Sequence, residues 1–174
     1  MKIAVSGSHR TGKSTYLRIF YDYLLHNQIS AKILANDATV CPLPIKKDQT
    51  FSSTMWLIAN CIKNEVEAQY GCDVLLVDRP VIDAWGYYIA SDMYKLNLEE
   101  ENVAMGIVTS WMQTYKYIVI SKIDNSYYKE DNTEDLEYQQ KIELSILSTY
   151  NLLNLHPFQM ADDHVENQFK RFLL

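Results

Sequence analysis

Eight residues near the start of the chain, Gly7-Ser8-His9-Arg10-Thr11-Gly12-Lys13-Ser14, follow the pattern G-x-x-x-x-G-K-[ST] in full. Its two glycines let the backbone curl until successive N–H groups point inward, and a helix starting at Lys13 turns its positive end toward the same point. Such a curl binds phosphate. Lys13 adds a point charge suited to β- and γ-phosphates, and the Ser14 hydroxyl is a ligand of the kind magnesium takes. With Thr15, next in line, the segment from Gly7 is expected to hold a nucleoside triphosphate as its magnesium complex. Lys13 reads as an exposed loop cation. His9 reads as a spacer rather than a catalyst, and Arg10 lies close enough to touch phosphate as a second cation.

A further acid follows the most apolar run of the chain, Asp73-Val74-Leu75-Leu76-Val77-Asp78. An aspartate at the end of such a strand reaches a magnesium ion beside the phosphates, or else caps the helix that Pro80 begins. Arg79 would emerge next to the phosphates, where a guanidinium grips an anionic acceptor in two-pronged fashion; a surface ion pair is the plainer reading. Asp83, one turn on, either holds Arg79 or faces solvent. Asp37 closes the second strand pattern and either takes a proton from a substrate hydroxyl or makes a local turn. Asn64 and Glu65 read as a solvated helix face more readily than as part of an acceptor pocket.

These residues need a scaffold. Lys2 to Ser6 is a buried strand pattern, and from Lys13 to about Asn27 the apolar residues recur at helical spacing. Ala31 to Ala35 gives a second strand. A loop with Pro42 and Pro44 leads to a helix from Ser52 to Tyr70, with Ser52 or Ser53 as its cap. After the Asp73–Asp78 strand, helical pattern runs from Pro80 to Tyr115 with a break near Asn97. Tyr117 to Ser121 is a fourth strand, residues 123–133 a polar loop, and Glu134 to about Asn154 a helix. Pro157 to Met160 suits a short last strand, and Asp163 to Leu174 an amphipathic helix. Strands alternating with helices of these lengths predict one α/β domain over residues 1–174, built on a parallel sheet with ligands at the carboxyl ends of its strands.

Composition narrows the class. Nearly half the residues are apolar and 22% charged, the balance of a globular chain. No apolar run approaches the roughly 20 residues a bilayer demands. The strand pattern beginning at Lys2 leaves no space for a leader, and three dispersed cysteines (Cys41, Cys61, Cys72) fit reduced thiols, so a cytoplasmic location is expected. A net charge of −6 argues against broad nucleic-acid binding. Thirteen tyrosines are many for this length, and they read as half-buried helix faces rather than a base-stacking platform.

Taken together, the opening phosphate loop, the Asp78-Arg79-Pro80 step and Ile82-Asp83-Ala84-Trp85-Gly86-Tyr87 after it resemble the small P-loop kinases: thymidylate kinase, the deoxynucleoside kinases and ribosylnicotinamide kinase. The polar stretch Tyr127 to Asn132 looks like the lid of that group, spanning about 122–134. The resemblance implies a P-loop three-layer sandwich, with a five-stranded parallel sheet in the order 2-3-1-4-5 and helices on both faces. ATP would be the donor and a small nucleoside or nucleotide the acceptor. Lys13, Asp78, Arg79 and Asp37 would be catalytic, Ser14 and Asp78 the magnesium ligands. A kinase of a modified DNA base, as in phages with hypermodified DNA, and a nucleotide-switched regulatory ATPase are the rival readings; a homodimer is left open. One departure stands out. Lids of this group carry arginine, yet Glu134 and its neighbours occupy that stretch and no arginine lies between Arg79 and Arg171. Lys129, Lys122 or Arg10 would have to replace it.

Overall fold

In the computed structural model, residues 1–123, 133–161 and 165–173 are described, with only the backbone of 133–135 considered. The strands are β1 (Lys2–Ser6), β2 (Ala31–Ala35), β3 (Val74–Asp78), β4 (Tyr117–Ile120) and β5 (Phe158–Gln159). Between them run helices α1 (Lys13–His26), α2 (Phe51–Ala68), α3 (Val81–Ile89), α4 (Leu98–Met112), α5 (Thr133–Leu152) and α6 (Val165–Leu173). All strand pairs are parallel, and the sheet order is β2-β3-β1-β4-β5, as the resemblance implies.

Alternation along the strands divides the core in two. Ile3, Val5, Val74, Leu76 and Val119 pack under α1 and α6, whose Phe20 and Phe169 rings stack 4.0 Å apart. Ala4, Leu75, Val77 and Ile120 face the other way, against α2 to α5. β1 and β3 are buried at every position, which is why each carries an unbroken apolar stretch, residues 3–5 and 74–77. Helices therefore cover both faces, and the carboxyl ends of β1, β2 and β3 meet at one edge.

Local details differ from expectation in instructive ways. Thr50 caps α2, in place of Ser52 or Ser53, through a reciprocal box: its side chain accepts from the Ser53 N–H, and the Ser53 hydroxyl accepts from the Thr50 N–H. Pro80 sits at the cap of α3 rather than inside its first turn. Asn97, where a break was expected, caps α4 by accepting from Glu99 and Glu100. Tyr16, Tyr88, Tyr115, Tyr138 and Tyr150 are buried outright rather than half-buried. Among the described residues no helix is long and apolar enough to cross a membrane.

Candidate active site

The phosphate loop connects β1 to α1. Gly7 and Gly12 both take positive φ, 134° and 79°, and a Cβ on Gly7 would collide with Ser121. Thr11 Oγ1 ties the curl together, donating to the Ser8 carbonyl at 3.0 Å and meeting Ser121 Oγ at 2.6 Å. Lys13 corrects the sequence expectation. It is only 4% exposed, with its ammonium folded back onto the Ser8 carbonyl and, at 3.1 Å, onto Thr11 Oγ1. Burial, then the nearby Arg79 charge, lowers its pKa to about 8. The Ser8 carbonyl and the Thr11 hydroxyl thus hold the lysine where phosphate oxygens would otherwise attract it. A cavity of about 250 Å³, lined by residues 10–15 with Asp78 and Arg79, lies over this curl.

Ser14 Oγ donates to Asp78 Oδ2 at 2.7 Å, so the two expected metal ligands already touch. Asp78 Oδ1 is buried and has no hydrogen-bond partner among the described residues. The α3 cap is Pro80, and no side chain bonds there, so Asp78 does not serve as the helix cap. A hydroxyl beside a carboxylate with an unfilled oxygen suits a hard cation that keeps most of its water and takes substrate phosphates as further ligands. No group of three or more His, Cys, Asp or Glu able to hold a metal occurs among the described residues, which excludes there an all-protein cage of those side chains but not this kind of site.

Arg79 stands in a left-handed conformation, φ 66°. Its N–H donates to the Val5 carbonyl at 3.1 Å and its own carbonyl accepts from Asn36 Nδ2 at 2.9 Å. This turn swings the guanidinium toward Tyr87, where Nη1 donates to the phenol oxygen at 2.9 Å and the cation lies 5.4 Å from the ring centroid. His9 Nδ1 is 3.2 Å from the same oxygen, so the histidine joins the loop to α3 through Tyr87. Asn36 carries no sequence signal of its own, and Tyr87 enters the sequence reading only as the last residue of the segment from Ile82; Asn36 reaches Arg79, and Tyr87 reaches His9, across long stretches of chain.

Asp83 neither faces solvent nor forms an ion pair within reach of Arg79. It is 2% exposed beneath the loop, accepting from Ser6 Oγ and, at 3.1 Å, from the Gly7 N–H. Burial pushes its carboxyl up to about 6, against the pull of Arg79 and Lys13. Asp37 makes the local turn that was one of its two readings. Its Oδ1 accepts from the Thr39 N–H at 2.9 Å and the Thr39 hydroxyl at 2.7 Å, and these bonds lower its pKa. It also lines a cavity of about 290 Å³ shared with Asn36, Leu57, Cys61 and Tyr87, which ends on Asp78 and Arg79. Burial pushes the Cys61 thiol up to about 12, so it lines the space as an apolar group. Glu65 is not part of this cavity and not solvated: it is fully buried and bonded to Lys2, Trp111 and Tyr115. Of the expected lid, residues 124–132 lie outside the described residues, and so does the side chain of Glu134; Lys122 is exposed.

A parallel 2-3-1-4-5 sheet with this loop between its central strand and first helix defines a P-loop α/β fold of the nucleotide-kinase type. Solved structures bear this out. Deoxyadenosine kinase from M. mycoides, solved with bound dATP, superposes with a TM-score of 0.67 at 14% identity over 100% of both chains. Thymidylate kinase from Ehrlichia chaffeensis gives 0.65 at 11% identity, covering 100% of this chain and 98% of that one. Thymidylate kinase from Candida albicans gives 0.61 at 14% identity, covering 99% and 88%. No family model matches the sequence, and no curated protein matches it. What is shared at these identities is architecture: the chain has the fold of the small P-loop nucleoside and nucleotide kinases.

Proposed function

We propose that the chain is an ATP- and magnesium-dependent kinase that moves the γ-phosphate to a nucleoside or nucleoside monophosphate, residues 1–174 acting as one cytoplasmic kinase domain. One observation carries this reading. The phosphate curl and the 290 Å³ cavity are separate spaces that share a single wall, Asp78 and Arg79. A donor phosphate in the first and an acceptor in the second would meet at those two side chains, which is the geometry a direct transfer requires. The cavity's volume is close to the range in which small-molecule sites begin.

In this reading the amides of residues 7–15 and the Lys13 ammonium hold the donor. Ser14 and Asp78 would hold magnesium, which would offset the charge of the donor phosphates. Arg79, steadied by Tyr87, grips the acceptor at the shared wall. Arg10, exposed and at φ 56°, lines the donor space and takes the place of the missing lid arginine. Asp37 serves as base for a hydroxyl acceptor, a task its lowered pKa makes harder. The solved kinases of the same fold, named for nucleoside and nucleotide substrates, support the reading.

The deciding experiment is transfer of label from γ-labelled ATP to a panel of nucleosides, monophosphates and DNA. Labelled nucleoside or nucleotide, formed with mild salt sensitivity, is the expected result. Label on base-modified duplex DNA alone, with affinity falling steeply with salt, or hydrolysis without any acceptor, overturns it.

A further inference from the structure

A third space opens beside the other two. It measures about 500 Å³ and is lined by His9 and Arg10 of the loop, residues 45–48 of the β2–α2 connection, Tyr87 and Tyr138. Arg10 is common to it and the donor curl; Ile45, Lys46 and Tyr87 are common to it and the acceptor cavity. Arg10, Lys46 and Lys47 stand on its walls with one carboxylate, Asp48, and the charge of Asp92 also reaches the Tyr138 phenol, so among the described residues cations outnumber carboxylates there by three to two. Such a surplus beside an anion-binding loop favours a further anion.

A second observation points the same way. Tyr138 is 7% exposed, and its hydroxyl is buried without a hydrogen-bond partner among the described residues. Burial pushes this phenol above its usual range, so it keeps a proton to donate. A buried donor left without an acceptor is costly, and an acceptor oxygen in the chamber would relieve it. The lysine-bearing turn is also held in place. The Lys47 carbonyl accepts from the Asp92 N–H at 2.8 Å, the Gln49 carbonyl accepts from Ser91 Oγ at 2.9 Å, and Gln49 Nε2 donates to Thr54 Oγ1 and the Ala84 carbonyl. Lys46 itself sits at φ 62°, and the Lys47 ammonium lies 5.7 Å from the Tyr138 ring centroid.

Cations and a hydroxyl donor around one space recognise a phosphate monoester, which is largely dianionic at pH 7. We propose that this chamber is a second phosphate site, distinct from the donor curl, in which Lys46, Lys47 and Tyr138 hold a phosphate group. The group is either the acceptor's own phosphate or free phosphate. The inference rests on the kinase reading only for which neighbouring space holds the donor and which the acceptor.

The test titrates inorganic phosphate into protein saturated with magnesium and a non-hydrolysable ATP analogue, which fills the donor curl. One phosphate is expected to bind. Lys46→Ala/Lys47→Ala should weaken it by at least about tenfold and Tyr138→Phe by several-fold, the scale of charge-assisted and ordinary hydrogen bonds. Lys63→Ala, on the exposed face of α2, should leave it unchanged. Both lysines are exposed and Tyr138→Phe removes one oxygen, so melting curves should stay close to wild type. Absence of phosphate binding, or equal binding by all variants, overturns the site. Michaelis constants then separate the sources. A rise for monophosphates but not for the matching nucleosides in the double variant assigns the site to the acceptor; unchanged constants for both, with phosphate binding still lost, assign it to free phosphate. If the ATP analogue does not bind, the kinase reading fails, and the same titration on Lys13→Ala, whose curl lacks its cation, still decides on the chamber.

Discussion

Two groups of buried charge lie at opposite ends of β1, and they are built to different ends. At the amino end, Glu65 takes bonds from Lys2 Nζ at 3.1 Å, Trp111 Nε1 at 2.9 Å and the Tyr115 hydroxyl at 2.5 Å, with the Lys2 ammonium 4.2 Å from the Trp111 ring centroid. Both carboxylate oxygens are engaged, and nothing there could receive a ligand. At the carboxyl end, Lys13, Asp78 and Asp83 are just as buried, yet Ser8 Oγ, Asn36 Oδ1 and Asp78 Oδ1 lack partners among the described residues. Buried charge alone does not mark a site; buried charge with bonds left to make does.

The sharpest way to break this contrast is Lys13→Ala. Phosphoryl transfer should fall below detection, while the melting temperature stays the same or rises, because burial already disfavours the ammonium. A kinase assay beside a thermal melt checks both halves. Glu65→Ala should do the reverse. It strands Lys2 as an unpaired buried cation, at a cost of about 3–5 kcal/mol, and the melting temperature should drop by roughly 10 °C. Whatever protein remains folded should keep the wild-type Michaelis constant for ATP; a raised constant would mean the two ends are coupled.

Asp78→Asn comes next in size. Turnover at saturating ATP should fall by roughly 10–100-fold with a raised magnesium requirement, since an amide is a far weaker ligand for a hard cation. Titrating activity against magnesium separates this from a folding defect. The smallest effect is in the pH dependence of the ligand-free protein. Asp83 titrates at about 6 rather than 3.8, so the folded chain holds its proton more tightly than the unfolded chain does. Its contribution is present at low pH and is lost as pH rises through about 6. Lys13 acts with the opposite slope: its pKa of about 8 against 10.5 opposes folding below about 8, and that opposition fades toward 10.5. Urea denaturation of wild type and Asp83→Asn across pH 4.5–7 should show wild type losing its relative advantage as pH rises.

The difference between the two ends also explains what the sequence could and could not reveal. The phosphate loop is legible because its chemistry is local: eight consecutive residues set the backbone and supply the cation and hydroxyl. β3 is legible because burial on both faces writes one unbroken apolar run. Glu65 is not, since its partners lie 46–63 residues away and a lone acid near a helix end looks solvated. The Thr50 cap hides for a smaller reason: the third residue of its box is Ser53, where glutamate or glutamine is the usual signal. Asp83 and the Lys46–Tyr138 chamber depend on how distant segments pack, and no spacing rule reaches that far.

Among the described residues five non-glycine positions adopt positive φ, and three of them, Arg10, Lys46 and Arg79, are cations on the walls of the three cavities, beside Lys13 and Lys47. The other two, Gln28 and Asn154, follow the ends of α1 and α5, where such a turn is routine. A left-handed side chain costs roughly 1–2 kcal/mol that glycine avoids. A copy of this chain released from any need to bind phosphate would therefore drift toward glycine at positions 10, 46 and 79, and become sturdier as it did so. Finding arginine or lysine retained there in an otherwise diverged sequence would be a readable sign that the copy still works.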